Sequence, residues 1–175
     1  MVKGLQRSIS RGGADRATTV VKRTYSVSGG SLVVDGAAGV GFGTLVIGGL
    51  PEGNILLLGA LGYFKFTGAV TAGLTDTWEG DYGVGTTPAS DGTITAADVD
   101  IVPSTAIAAA VAEDSARTRG TDATGAKVGQ VFDNTAGDLE LNLNLLIDDA
   151  SISADDVVIT VNGELSIVFV VFGDD

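Results

Sequence analysis

The clearest pattern lies in the last third of the chain. Over residues 138–147 (DLELNLNLLI), Leu139, Leu141, Leu143 and Leu145 alternate with Glu140, Asn142 and Asn144. A period of two with no competing helical fit predicts a half-buried strand, leucines toward the core and the polar set toward solvent. Residues 156–172 hold two apolar runs divided by Asn162-Gly163, a short-range hairpin signal. A two-residue turn would set Val161 against Glu164 and mix the faces. A three-residue loop instead pairs Val161 with Leu165, Ile159 with Ile167 and Val157 with Phe169, and one residue of slip would flip every side chain. The expectation is that loop, or a bulge at Asn162-Gly163 within one long strand. Residues 167–172 (IVFVVF) have no polar face, so both sides need cover, centrally in a sandwich or at a subunit contact.

Earlier segments repeat the strand pattern. Residues 18–28 (TTVVKRTYSVS) place Val21, Arg23, Tyr25 and Val27 on one face and Val20, Lys22, Thr24 and Ser26 on the other. Gly29-Gly30 reads as a turn into residues 31–34. Residues 36–43 (GAAGVGFG) read as a loop or irregular edge before a strand over 44–47, and 48–53 form a turn by composition. Residues 54–67 are apolar and aromatic with Gly59 and Gly62 inside, which predicts a bent strand or two short ones. Residues 74–84 alternate, with Trp78 and Tyr82 on one face and Gly80 between them. A polar loop is expected over 85–93 and a strand over 98–102, ended by Pro103. Residues 106–116 form a short Ala-rich helix or a strand, and 117–130 a loop. Eight to ten short strands with many Gly turns predict an all-β fold, an antiparallel sandwich or barrel. No period of 20–50 residues repeats, which argues against a solenoid or propeller.

Composition narrows the function. The 175 residues fit one domain, or one domain with an arm, and 45% are hydrophobic, enough for a core. Without Cys or His there is no disulfide, thiol nucleophile, Ser-His triad or ordinary zinc site. Charge is uneven. Residues 1–23 hold six bases (Lys3, Arg7, Arg11, Arg16, Lys22 and Arg23) and one acid, net +5; the remaining 152 residues hold four bases and 21 acids, net −17. An acidic body repels nucleic acid, and the arm has no base-stacking aromatic before Tyr25, so no nucleic-acid partner is expected. No membrane partner is expected either. The longest apolar runs, 40–50 and 55–64, fall short of the ~18 residues of a spanning helix, and the start lacks a secretory pattern. Residues 1–17 read as an extended basic N-terminal arm and 18–175 as a single sandwich domain. An arm of this composition needs a surface to lie on, a neighbouring subunit or its own acidic body.

Candidate chemistry is sparse, and no cofactor or metal is expected. Residues 39–43 (GVGFG) have the wrong spacing for a dinucleotide fingerprint and no helix behind them. The acids at 148–149, 155–156 and 174–175, and Asp98 with Asp100, could serve a glycosidase or calcium only if they converged; neighbours in a strand face opposite ways. They read best as solvated loop ends. Trp78 and Tyr82 fit either a carbohydrate platform or core packing. Arg117 and Arg119 are left to pair with acids of this chain or a neighbour.

Residues 77–105 (TWEGDYGVGTTPASDGTITAADVDIVPST) and 139–175 (LELNLNLLIDDASISADDVVITVNGELSIVFVVFGDD), with the Arg/Gly-rich start, resemble small all-β virion proteins of tailed phages, the capsid decoration or cement type. The resemblance is one of texture and strand order over mainly the C-terminal half, and no functional residue is carried over from it. It implies a non-enzymatic sandwich or jelly-roll-like subunit on the capsid surface of a virion. Its implied partners are the major capsid protein and itself, as a homodimer or homotrimer. Lys3, Arg7, Arg11, Arg16, Lys22 and Arg23 are the expected partner-binding residues. A neck, tail or fibre-attachment domain and a carbohydrate-binding module are the competing readings.

Overall fold

A computed structural model describes residues 20–35, 41–68, 73–74, 77–111, 113–119, 128–148, 151–152 and 156–172. The expected arm, residues 1–17, lies outside the described residues. Among the described residues nine strands follow in order: β1 (Val20–Val34), β2 (Gly41–Gly49), β3 (Gly53–Gly68), β4 (Thr77–Gly85), β5 (Val102–Val111), β6 (Glu113–Arg119), β7 (Val131–Asn134), β8 (Glu140–Ile147) and β9 (Val157–Val171). They form two antiparallel sheets. Sheet A has the order β1-β9-β3-β6, with β7 pairing the first part of β3; sheet B has the order β2-β8-β4-β5. The chain crosses from one sheet to the other at each of the first three connections and again from β5 to β6, β7 to β8 and β8 to β9. With β7 set aside as an addition, eight strands pair in the order of a jelly roll, two interlocked Greek keys closed into a sandwich. The expected all-β sandwich is what forms.

The core lies between the sheets, built from alternate side chains of both. Sheet A contributes Leu32, Ile55, Leu57, Phe64, Phe66, Ile159, Ile167 and Phe169; sheet B contributes Trp78, Tyr82, Ile107 and the β8 leucines. Leu141, Leu143 and Leu145 are fully buried, as their alternation predicts. Asn142 and Asn144 face the other way but are not solvated. The β4–β5 connection folds over the outer face of sheet B, and Asn144 binds it there.

Other expectations are met in only one of their alternatives or need correction. Of the two readings of Asn162-Gly163, one long strand with an irregularity there is what forms, and no hairpin: Asn162 of β9 faces Ser28 and Gly29 of β1, between the pairs Val27↔Gly163 and Gly30↔Val161. Gly29-Gly30 likewise makes no turn. Gly29, at φ +64°, forms the bulge and its N–H donates to the Asn162 side-chain carbonyl at 2.8 Å. β3 is a single strand whose bulge at Leu58 gives the expected bend. For residues 106–116 the strand alternative is the one that holds where the structure describes them: 106–111 belong to β5 and 113–116 to β6, which ladder onto β4 and β3. A short Ala-rich helix has little apolar face to bury, so paired backbone wins. β6 also takes in Arg117 and Arg119, placed in a loop by the sequence pattern. Residues 96–98 form a 3₁₀ turn, and the strand starts after them and runs through Pro103. This is tolerated because β5 is an edge of sheet B, where a missing donor costs no ladder bond.

Candidate functional site

Of the six expected partner-binding residues, Lys3, Arg7, Arg11 and Arg16 lie outside the described residues. Lys22 and Arg23 open β1, an edge strand of sheet A, and point to opposite faces. Lys22 is exposed on the outer face in register with Val168. Arg23 is exposed on the side that faces sheet B; its guanidinium lies 5.9 Å from the Tyr25 ring centre, and Nη1 donates to the Tyr25 hydroxyl at 3.4 Å. That hydroxyl in turn donates to the Gly49 carbonyl at 2.7 Å, tying β1 to the end of β2. The two cations therefore address different surfaces. They also protect a long exposed edge against stray strand pairing.

The candidates for chemistry resolve into structural parts. Trp78 and Tyr82 are inside the sandwich, and Tyr82 packs edge-on against Phe64 with centroids 5.9 Å apart. The aromatic pair is core, not an exposed sugar platform, because Gly80 between them sits against the Leu146 backbone and leaves no opening. Asp98 accepts from the Thr95 N–H at 3.3 Å and closes the 3₁₀ turn. Asp100 is buried and accepts from the Thr86 N–H at 3.0 Å and the Thr86 hydroxyl at 2.9 Å, holding the β4–β5 connection. Asp100 is thus no solvated loop end. Among the described residues no three His, Cys, Asp or Glu side chains come together as a metal site. Gly41 and Gly43 belong to β2. A Cβ at Gly43 would strike the Val33 carbonyl, so this glycine lets β2 approach β1.

The outer face of sheet A is the surface feature the sequence pattern left unassigned. At the β3 bulge, where Gly59 has no side chain and open space above it, a groove of ≈ 390 Å³ runs between Lys22, Leu58, Leu61, Ser166 and Val168. Its walls are apolar. The hydroxyl of Ser166, one of its lining residues, shares a 2.9 Å hydrogen bond with that of Thr24, and Lys22 is the charged member of the lining. The signal was present in the chain: residues 55–58 (ILLL) and 167–172 (IVFVVF) lack the polar alternation of a solvated face. No helix of the described residues is long and apolar enough to cross a membrane.

No protein-family model matches the chain, and no curated protein matches it. Among solved structures, a chain in the cryo-EM structure of Mud crab tombus-like virus is similar over 93% of this chain and 96% of its own, at 12% identity and a TM-score of 0.34.

Proposed function

We propose that the chain is a non-enzymatic virion structural subunit, a capsid decoration protein of the tailed-phage kind. It binds the outer head surface, bridges neighbouring capsid subunits and so stabilises the shell. The observation that carries this reading is the jelly-roll pairing order of its eight principal strands, an architecture that serves viral capsid domains, lectins and cupins. A carbohydrate role would draw on the one Trp and the Tyr four residues on, and both are core. Imidazole metal ligands are absent from the sequence. A subunit repeated over a shell needs no chemistry, since many modest contacts add to a firm hold. The six bases of residues 1–23 supply the attachment: a segment of net +5 at the start of a chain whose remaining residues are net −17 is suited to an acidic seam on the capsid.

The test is to image particles that carry the protein. Density at many symmetry-related positions on the outer head surface is the expected result. Density confined to a neck, tail or fibre would move the protein to that part of the virion, and its absence from particles would end the proposal.

A further inference from the structure

Sheet A presents an apolar row that crosses four strands on its outer face: Val20 of β1, Val170 of β9, Leu56 of β3 and Val131 of β7. Val170 is only 8% exposed although it stands outside the core cluster. Val20 and Val131 are more than half exposed. One alternate position along β9 from Val170 stands Phe172, 51% exposed, its backbone N–H donating to Asn54 on β3. One alternate position the other way is Val168, in the groove above Gly59. The face therefore carries an aromatic knob and an apolar groove on either side of one row.

We infer that this face pairs with the same face of a second copy of the chain, each Phe172 entering the groove of the other. Val168 and Phe172 are four residues apart on one strand, roughly 13 Å, so no chain fills its own groove with its own knob. A two-fold axis between the faces, along the row of Val20, Val170 and Leu56, exchanges the positions on either side of that row. It sets Phe172 of each copy over Val168 of the other, and both contacts close with one operation, as an isologous interface requires.

Charge selects the same occupant. Two chains of net −12 repel one another overall, so a contact between copies is favoured where acids are sparse. Around the apolar row the described residues place one acid, Asp133 at the β7 edge, already engaged by Thr135, and two cations, Lys22 at the groove and Arg119 in register with the groove's Leu61, with Glu164 further along β9. Two and three residues beyond Phe172 the sequence carries Asp174 and Asp175, opposite in charge to the cations at the groove. The arm is a poorer occupant: residues 1–17 carry Lys3, Arg7, Arg11 and Arg16, like in charge to Lys22, and few apolar side chains. The pairing does not depend on the virion reading.

The test uses the purified full chain, free of particles. Sedimentation equilibrium should show a dimer, and Phe172→Asp should weaken it by at least about tenfold while the melting curve stays cooperative. Because the chain has no Cys, Phe172→Cys and Val168→Cys variants can be mixed and oxidised. A disulfide between the two variants is expected, and none with Val158→Cys, exposed at the far end of the same face. A monomeric wild type, a dimer indifferent to Phe172→Asp, or a dimer lost when residues 1–17 are removed would each overturn the inference. Particle binding by a monomeric chain would do so while leaving the decoration role standing.

Discussion

Asn144 uses every hydrogen-bonding position of its amide. Its Oδ1 accepts from the Thr44 hydroxyl at 2.6 Å and the Ala89 N–H at 2.9 Å, while its Nδ2 donates to the carbonyls of Thr87 at 2.9 Å and Asp98 at 2.7 Å. One buried side chain thereby joins β8, β2 and both ends of the β4–β5 connection. Asn144→Leu keeps the branched outline but leaves the Thr87 and Asp98 carbonyls without the amide away from water, while the Ala89 N–H keeps its 3.0 Å bond to the Thr44 hydroxyl, so denaturant unfolding should show a loss of about 2–4 kcal/mol. A loss below about 1 kcal/mol would mean that water replaces the amide. Asp81 acts in the opposite sense. Burial pushes its carboxyl above the ordinary 3.8, the Asp148 charge pushes the same way, and a hydrogen bond from Ser104 opposes both. In the window above 3.8 the folded chain then holds a proton that the unfolded chain has released, so this group's share of stability falls as pH rises through that window. Asp81→Asn should raise the melting temperature at neutral pH by the equivalent of less than about 1 kcal/mol, since the carboxyl is largely solvated, and the gain should vanish below about pH 4. Asp91 and Asp133, held below 3.8 by hydrogen bonds from Thr93 and Thr135, respond the other way and lose their contribution on acidification.

At the scale of elements, the bulge joining β1 and β9 shows what the chain declares and what it conceals. Asn162-Gly163 and Gly29-Gly30 were each legible as breaks, because glycine and asparagine disfavour straight strand. That the two breaks face one another across a ladder is a long-range fact, invisible to a local pattern. The two glycines differ in what they tolerate. Gly163, at φ +152°, would carry a Cβ into the Tyr63 carbonyl and to 2.8 Å from Phe64 Cα, both on the neighbouring backbone. Gly29, at φ +64°, has nothing within 4 Å of that position. Gly163→Ala should therefore cost upward of about 3 kcal/mol in thermal or denaturant unfolding, and Gly29→Ala only about 1 kcal/mol, the cost of a left-handed residue. Equal losses would mean that conformation, not contact with β3, governs Gly163. The same limit explains the other misreadings. Alternation placed the β8 asparagines opposite the leucines but could not show that a connection would cover them. Over 106–111 and 113–116 the local pattern admits both helix and strand, and ladder bonds with strands distant in sequence decide for strand. The apolar row on sheet A was half legible: residues 167–172 announced that both faces need cover, and only the pairing with β1, β3 and β7 shows which surface waits for it.

At the scale of the whole molecule, the arm and the sandwich can be separated, and where the cut falls decides what is learned. β1 begins at Val20, and Val20 to Arg23 pair with Val170 to Ile167 on β9. Removal of residues 1–23 would strip four positions from an edge strand and uncover β9, so loss of particle binding could then come from a damaged sheet. Removal of residues 1–17 leaves every described strand whole. That shorter cut should leave the melting temperature within a few degrees of the full chain and abolish attachment to particles, because four of the six bases go with it. Attachment of the full chain should also weaken as salt rises from low to physiological strength and beyond, since exposed charges separated by more than about 8–10 Å are then screened. The two measurements discriminate jointly. An arm that holds by charge gives salt-sensitive binding that the cut removes, whereas a sandwich that docks by its apolar faces gives binding that survives both the cut and the salt. Retention of the truncated chain on particles at the level of the full chain would transfer the docking role from the basic arm to the sheets.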